Sequence, residues 1–137
     1  MKIQHVPLEY VNQTWPLVEG FIAKAIVNQG GEPEVTLDQV KVYVTSGQWM
    51  LVVAVGDEGQ IKGAAAIHFF NRPNHRVALI THIGGRLVAN ADTFDQLRSL
   101  CKTFGATKIE GAVTESVARL WKRFGFTEKY RIAEVNL

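Results

Sequence analysis

Apolar residues recur along the chain with two periods, and each period predicts one kind of element. Spacing by three and four predicts four helices, because residues at that spacing share one helix face. Short apolar runs bounded by turn residues predict six strands. The predicted helices cover residues 14–27, 36–44, 93–105 and 114–125. The predicted strands cover residues 3–6, 49–55, 61–70, 76–83, 108–113 and 126–137. The element order is therefore β-α-α-β-β-β-α-β-α-β.

Three of these strands follow one another in the middle of the chain. Residues 49–55 form a near-continuous apolar run, as expected for a strand that is covered on both faces. The sequences GDEG at 56–59 and NRPNH at 71–75 are turn signals that separate the three strands. An antiparallel meander is predicted here.

Length, composition and charge narrow the class of protein. A chain of 137 residues, 47% hydrophobic and 20% charged, predicts a single soluble domain over 1–137. The net charge of +2 permits an anionic small ligand but provides no polybasic surface, so nucleic acid is not an expected partner. The single cysteine, Cys101, excludes an intrachain disulfide, and the four scattered histidines show no metal-ligand spacing. With no apolar leader and no run long enough for a bilayer, we expect a cytoplasmic protein without a membrane partner.

The segment between the strand at 76–83 and the following helix has the composition of an anion site. Unpaired amides at the start of a helix favour an anion, and small side chains let a phosphate approach them. Arg86 adds a fixed positive charge. The alternative is a plain glycine turn before a helix capped by Asp92 or Thr93, with Asp92 repelling anions. The small residues of the segment are Gly84, Gly85, Ala89 and Ala91.

The element order and two local patterns resemble the GCN5-related N-acetyltransferase (GNAT) superfamily over nearly the full chain. Residues 86–91, RLVANA, are similar to the family's acyl-CoA loop Gln/Arg-x-x-Gly-x-Gly/Ala, with Ala89 at the middle glycine. Residues 120–126, LWKRFGF, are similar to its Leu-Tyr-x-x-x-Gly-Phe pattern, with Trp121 at the tyrosine. The resemblance implies an α+β fold with three layers, α/β/α, around a mixed, mostly antiparallel sheet.

The same resemblance implies transfer of an acetyl group from acetyl-CoA to an amine by direct attack, without a covalent enzyme intermediate. The strands at 78–83 and 108–113 would splay apart and hold the pantetheine arm, with the pyrophosphate on the amides of 87–92. The acceptor amine is unknown, although the acidic loop at 28–34 favours a cationic one. The cofactor-binding candidates are Ile83, Arg86, Leu87, Val88, Ala89, Asn90, Ala91 and Trp121.

Candidates for proton transfer come from the strands. His82, near the end of the splayed strand, is the first candidate for general base, because imidazole titrates near neutral pH. His68 is the second, and Glu110 could assist. The indole N–H of Trp121 can donate a hydrogen bond but does not ionise in a useful pH range, so Tyr130 on the predicted last strand is the candidate acid. The alternatives are a histidine hydrogen-bonded within the sheet and a tyrosine on an exposed strand face.

A second hypothesis follows from the departures at Ala89 and Trp121. On this hypothesis the chain is a catalytically degenerate GNAT-fold protein with a structural or interaction role. Such a protein could be carried by a tailed bacteriophage and be located in the virion. Both hypotheses leave open a homo-oligomer or a larger protein assembly.

Overall fold

A computed structural model describes residues 1–30 and 32–137. The predicted order of elements is confirmed from the first strand to the fourth helix. The elements are β1 (Lys2–His5), α1 (Leu8–Asn28), α2 (Leu37–Thr45), β2 (Met50–Val55), β3 (Ile61–Arg72), β4 (His75–Gly85), α3 (Ala91–Thr103), β5 (Lys108–Gly111) and α4 (Glu115–Trp121), which a 3-10 turn at Lys122–Phe124 extends.

One sheet of five strands, in the order β1-β2-β3-β4-β5, forms the middle layer. The first three pairings are antiparallel, which confirms the meander, and β4 pairs with β5 in parallel. Helices α1 and α2 cover one face and α3 covers the other, which confirms the three-layer α+β architecture. Ala64 and Ala66 belong to the cluster under α1 and α2, whereas Ala65 belongs to the other cluster, as the period of two requires.

Helix α1 begins earlier than predicted. It starts at Leu8, and the hydroxyl of Thr14 donates to Tyr10 O (2.8 Å) inside the helix instead of capping it. Val11 and Trp15 are buried and extend the apolar stripe upstream, so packing on the sheet continues the helix past the expected cap. The predicted cap of α2 is confirmed, because Thr36 Oγ1 accepts from Gln39 N (3.2 Å).

The predicted last strand at 126–137 is wrong for the described chain. Phe126 packs on the core and its amide donates to Trp121 O (3.4 Å). Residues 127–137 are all exposed, and within the described part of the chain they make no backbone hydrogen bond. The strand pattern is present in the sequence, but no neighbouring strand satisfies its backbone.

Helix α1 lies close to the sheet at Gly84. A Cβ atom at Gly84 would lie 2.4 Å from Phe21 O, a backbone atom that cannot move alone. We expect Gly84→Ala to destabilise the protein by about 1–3 kcal/mol through overpacking. The matched control is Gly20→Ala on the exposed side of α1, where a Cβ meets nothing within 4 Å. That change is expected to stabilise the helix by about 0.5–1 kcal/mol. Urea denaturation measures both, and equal effects would contradict the close packing of α1 on β4.

Candidate active site

Strands β4 and β5 run together for only four residues and then separate. Their pairing extends from Val77 opposite Lys108 to Ile80 opposite Gly111. Strand β4 continues to Gly85, whereas β5 ends at Gly111. Within the described chain, residues 81–85 therefore have no strand partner on the β5 side. A backbone edge of this kind can pair with an extended ligand.

A β-bulge lies at the point where the strands separate. Ala66 pairs with His82 and Ile67 pairs with Ile80, so Thr81 is the extra residue. The Thr81 hydroxyl donates to Ala66 O (3.0 Å). Because directly paired residues share a face, the bulge directs His82 to the α1–α2 face, at the mouth of the gap.

The surroundings of His82 keep its imidazole neutral. The side chain is 5% exposed, and burial lowers the pKa of His82 below its usual value. Its Nδ1 lies 3.2 Å from Thr81 Oγ1, whose only proton is used on Ala66 O. Nδ1 must therefore donate, which leaves the lone pair on Nε2. A neutral imidazole with this tautomer can accept a proton at Nε2.

Five rings form an aromatic wall beside the gap. Trp49 is central, because its ring stacks on Tyr43 at 4.3 Å and lies 6.2 Å from both His68 and His82. Phe70 completes the wall, 5.3 Å from His68. The Trp49 amide donates to Tyr43 O (3.0 Å), which fixes the turn between α2 and β2. The wall offers an apolar surface to whatever approaches His82.

Glu110 lies on the same face as this wall but in an ion cluster. Arg72 Nη1 donates to Glu110 Oε2, and Lys129 Nζ lies 3.8 Å from the same oxygen. The hydrogen bond from Arg72 holds the pKa of Glu110 below its usual value. A carboxylate that stays charged in this way is a weak proton acceptor, so the cluster does not support Glu110 as an assisting base.

The candidate acid Tyr130 lies with that ion cluster and not with the aromatic wall. Its side chain is 62% exposed, and Lys129 Nζ lies 5.1 Å from its ring centre. Glu110 is opposite Leu79, before the bulge, whereas His82 follows the bulge. Tyr130 and His82 are therefore not brought together in this structure.

Some amides of the loop before α3 have an acceptor within the protein and others do not. Asn90, and not Asp92 or Thr93, caps the helix, with Oδ1 accepting from Thr93 N (3.0 Å). Thr93 Oγ1 accepts from the amides of Ala89 (3.1 Å) and Asn90 (3.2 Å). Among the described residues, the amides of Leu87, Val88, Ala91 and Asp92 have no protein acceptor. Leu87 is fully buried, so only the other three amides can face a ligand.

The side chains of the proposed cofactor residues fall into two groups. Leu87 and Trp121 are buried and anchor the loop and α4 in the core. Trp121 fills the space beside Gly111, where a Cβ atom would meet its ring at 2.7 Å. Ile83 and Val88 are partly buried against the same core. The exposed members are Arg86, Ala89, Asn90 and Ala91.

Comparison with solved structures finds several acetyltransferases with this architecture. A probable acetyltransferase superposes with a TM-score of 0.69 at 15% identity, over 100% of this chain and 97% of its own. A predicted acetyltransferase from Clostridium acetobutylicum, solved with acetyl-CoA, gives 0.66 at 17% identity over 98% and 95%. A ribosomal-protein-alanine N-acetyltransferase from Brucella melitensis biovar Abortus 2308 gives 0.66 at 13% identity over 100% of both chains. No family model and no curated protein matches the sequence.

The chain has the GNAT fold. The likeness covers essentially the whole chain at low identity, so it establishes the architecture and not the substrate. Among the described residues, no helix of this GNAT fold has the length and apolarity to cross a membrane. No group of three or more histidine, cysteine or acidic residues within 1–30 and 32–137 is arranged to hold a metal ion.

Sequence reasoning missed the aromatic wall of this GNAT fold and the role of Thr81. Tyr43, Trp49 and Phe70 follow patterns that are typical of core residues. They come together only because α2, β2, β3 and β4 are adjacent in the fold. The bulge at Thr81 has no signal in the sequence, since a single extra residue leaves the apolar pattern of β4 intact.

Proposed function

We propose that this protein transfers an acetyl group from acetyl-CoA to an amine. The observation that carries the proposal is the opening of β4 from β5 beside a buried, neutral His82. The open edge at 81–85 suits the amide groups of a pantetheine arm, with Ile83 on that segment. The unpaired amides of Val88, Ala91 and Asp92, together with Arg86, suit its pyrophosphate, and the buried Leu87 would anchor this loop. Ala89 and Asn90 would line the same loop, and Trp121 would support it from the core.

In this mechanism the amine nitrogen attacks the thioester carbon, and the carbon–sulfur bond breaks as the carbon–nitrogen bond forms. His82 Nε2 accepts the proton that the amine loses. The departing thiolate takes a proton from water, because Tyr130 is exposed and lies with the Glu110 ion cluster. The protein's main contribution is to hold the two reactants in line inside the gap.

The neighbourhood of His82 favours a cationic amine with an apolar body. The aromatic wall supplies apolar surface and ring faces that attract a cation. Gln29 Nε2 donates to Thr81 O (3.0 Å), which brings the start of the α1–α2 connection to the bulge. Glu32 and Glu34 follow Gln29 by three and five residues, and their charges would attract a cationic acceptor.

Acetyl-CoA is expected to raise the melting temperature. A ligand at 100 times its dissociation constant adds about 2.7 kcal/mol of stability, which is roughly 8 °C for a chain of this length. Turnover is measured as release of free CoA thiol with panels of cationic and neutral amines. An unchanged melting temperature at millimolar acetyl-CoA would contradict the proposal and support the degenerate-scaffold hypothesis. If acetyl-CoA binds but no amine is acetylated, the proposed acetyl transfer is contradicted while the proposed acetyl-CoA site stands.

A further inference from the structure

Arg72 connects the aromatic wall to the ion cluster around Glu110. It lies at the end of β3, and its guanidinium carbon is 5.0 Å from the ring centre of Phe70. Phe70 and Arg72 share the α1–α2 face with Ala66, because every second residue of a strand points the same way. Arg72 Nη1 donates to Glu110 Oε2 on β5. Since β4 runs between β3 and β5, the arginine side chain crosses over β4 on this face.

Most of the hydrogen-bonding capacity of Arg72 is left for a ligand. A guanidinium has five N–H donors in a planar fork, and within residues 1–30 and 32–137 only Nη1 has a protein acceptor. The side chain is 33% exposed, so the other donors can be reached from solvent. Because the Phe70 ring and the Glu110 carboxylate hold the guanidinium in place, little of its freedom is lost when a ligand binds.

The ion cluster carries a net positive charge. Lys129 Nζ lies 3.8 Å from the Glu110 oxygen that Arg72 also contacts, so one carboxylate faces two cations. Two positive charges and one negative charge leave one positive charge, which attracts an anion despite Glu110. The anion that a guanidinium fork matches in shape is a carboxylate, which it holds through two parallel hydrogen bonds.

The ion cluster lies close enough to His82 for one small ligand to reach both. His82 pairs with Ala66, and Glu110 is opposite Leu79. Leu79 in turn pairs with His68, which is two residues from Ala66 on β3. Two residues of strand measure about 7 Å and neighbouring strands are about 5 Å apart, so the backbones of His82 and Glu110 are about 8–9 Å apart. A ligand whose amine and carboxylate are a few bonds apart can therefore contact both His82 and the cluster.

We propose that the acceptor is an apolar α-amino acid whose carboxylate binds Arg72 and whose amine faces His82, an inference that rests on the proposed function. The aromatic wall receives the apolar side chain, and its ring faces attract the charged amine. Water takes one proton from the bound ammonium group, and the resulting amine forms a bond to the acetyl carbon as the carbon–sulfur bond breaks. His82 accepts the second proton, the thiolate of CoA takes one from water, and the product is an N-acetyl amino acid. The carboxylate does not react, so its contact with Arg72 serves to orient the amine.

L-phenylalanine and L-phenylalaninamide test the contact with Arg72, because only the first carries a carboxylate. Their amines differ in basicity, so the readout is how the ratio of their kcat/KM values changes on substitution. Arg72→Gln is expected to lower the ratio of acid to amide by about 10-fold or more, since it removes charge-assisted hydrogen bonds. The kcat/KM for the amide should stay near the wild-type value, which also shows that the variant is folded.

Lys2→Gln is the control for the loss of one positive charge. Lys2 is exposed on β1, at the opposite edge of the sheet from β5, so this change should leave the acid-to-amide ratio unaltered. Arg72→Lys keeps the charge but loses the planar fork, and its ratio should lie between those of the wild type and Arg72→Gln. If the wild type and Arg72→Gln acetylate amines with the same acid-to-amide ratio, this proposal is overturned and the proposed function stands.

Calorimetric titration of the full chain with the same two compounds tests the site without turnover. Arg72→Gln should weaken L-phenylalanine binding by about 10-fold or more and leave L-phenylalaninamide binding unchanged. If this pattern appears but no amine is acetylated, the carboxylate site on Arg72 is supported and the proposed function is contradicted. A wild type that does not bind L-phenylalanine at millimolar concentration would overturn the proposal, whatever the acetylation assays show.

Discussion

His82→Gln is expected to lower kcat for acetyl transfer by about 100-fold or more, with acetyl-CoA affinity changed less than threefold. The reason is that glutamine keeps a polar group near Thr81 but cannot accept the proton of the attacking amine. Steady-state kinetics give the loss in kcat, and equilibrium titration gives the affinity. A histidine that served only as a packing group would affect both through stability, so unequal effects identify a role in proton transfer.

The matched control is His68→Gln on the neighbouring strand. His68 lies as far from Trp49 as His82 does, but it is only partly buried and pairs with Leu79, on the other side of the bulge from His82. We expect this variant to retain most of its kcat. If His68→Gln loses turnover and His82→Gln does not, the base has been assigned to the wrong histidine. Equal activity of wild type and His82→Gln would remove His82 from the mechanism.

The pH dependence gives an independent readout of the same group. Burial lowers the pKa of His82 in the folded state, so the unfolded chain takes up this proton first as the pH falls. The stability that His82 contributes is complete above about pH 6.5 and is lost as the pH falls toward the folded pKa. In His82→Gln this part of the slope should disappear, and so should the histidine limb of the pH–rate profile. An unchanged slope would mean that His82 is not the buried neutral group described above.

The fold could be predicted from the sequence because the patterns that mark its helices, strands and caps are local. Val18, Ile22 and the other residues of the α1 stripe repeat at helical spacing, and turn residues separate β2, β3 and β4. Thr36 could be recognised as a cap because its partner Gln39 is three residues away. Asn90 was overlooked because Asp92 and Thr93 are equally good cap residues by type, and only the backbone geometry distinguishes them.

The candidate site could be predicted only in part, because it is formed by residues that are far apart in the sequence. His82 could be named from its position near the end of β4, but its burial depends on Trp49, which is more than thirty residues away. The predicted last strand failed for the same reason. The pattern around Tyr130 and Ile132 indicates strand propensity, but it does not reveal whether a neighbouring strand is available to pair with it.

Arg86→Glu is expected to weaken acetyl-CoA binding by about 10- to 100-fold, or roughly 1.4–2.8 kcal/mol. Arg86 is exposed and lies two residues before the unpaired amide of Val88. The substitution replaces an attraction for the pyrophosphate with a repulsion at the same place. Calorimetric titration with acetyl-CoA measures the loss, and the thermal shift should shrink with it.

Lys41→Glu controls for the change in net charge. Lys41 is also exposed and its reversal alters the total charge equally, but it lies on α2, on the other face of the sheet from α3. At about 0.15 M salt the Debye length is about 8 Å, so a distant charge should matter little to the ligand. A loss confined to Arg86→Glu would therefore indicate direct contact with the phosphates. Equal losses in both variants would indicate only a general electrostatic attraction, and the loop before α3 would no longer be the place where the nucleotide binds.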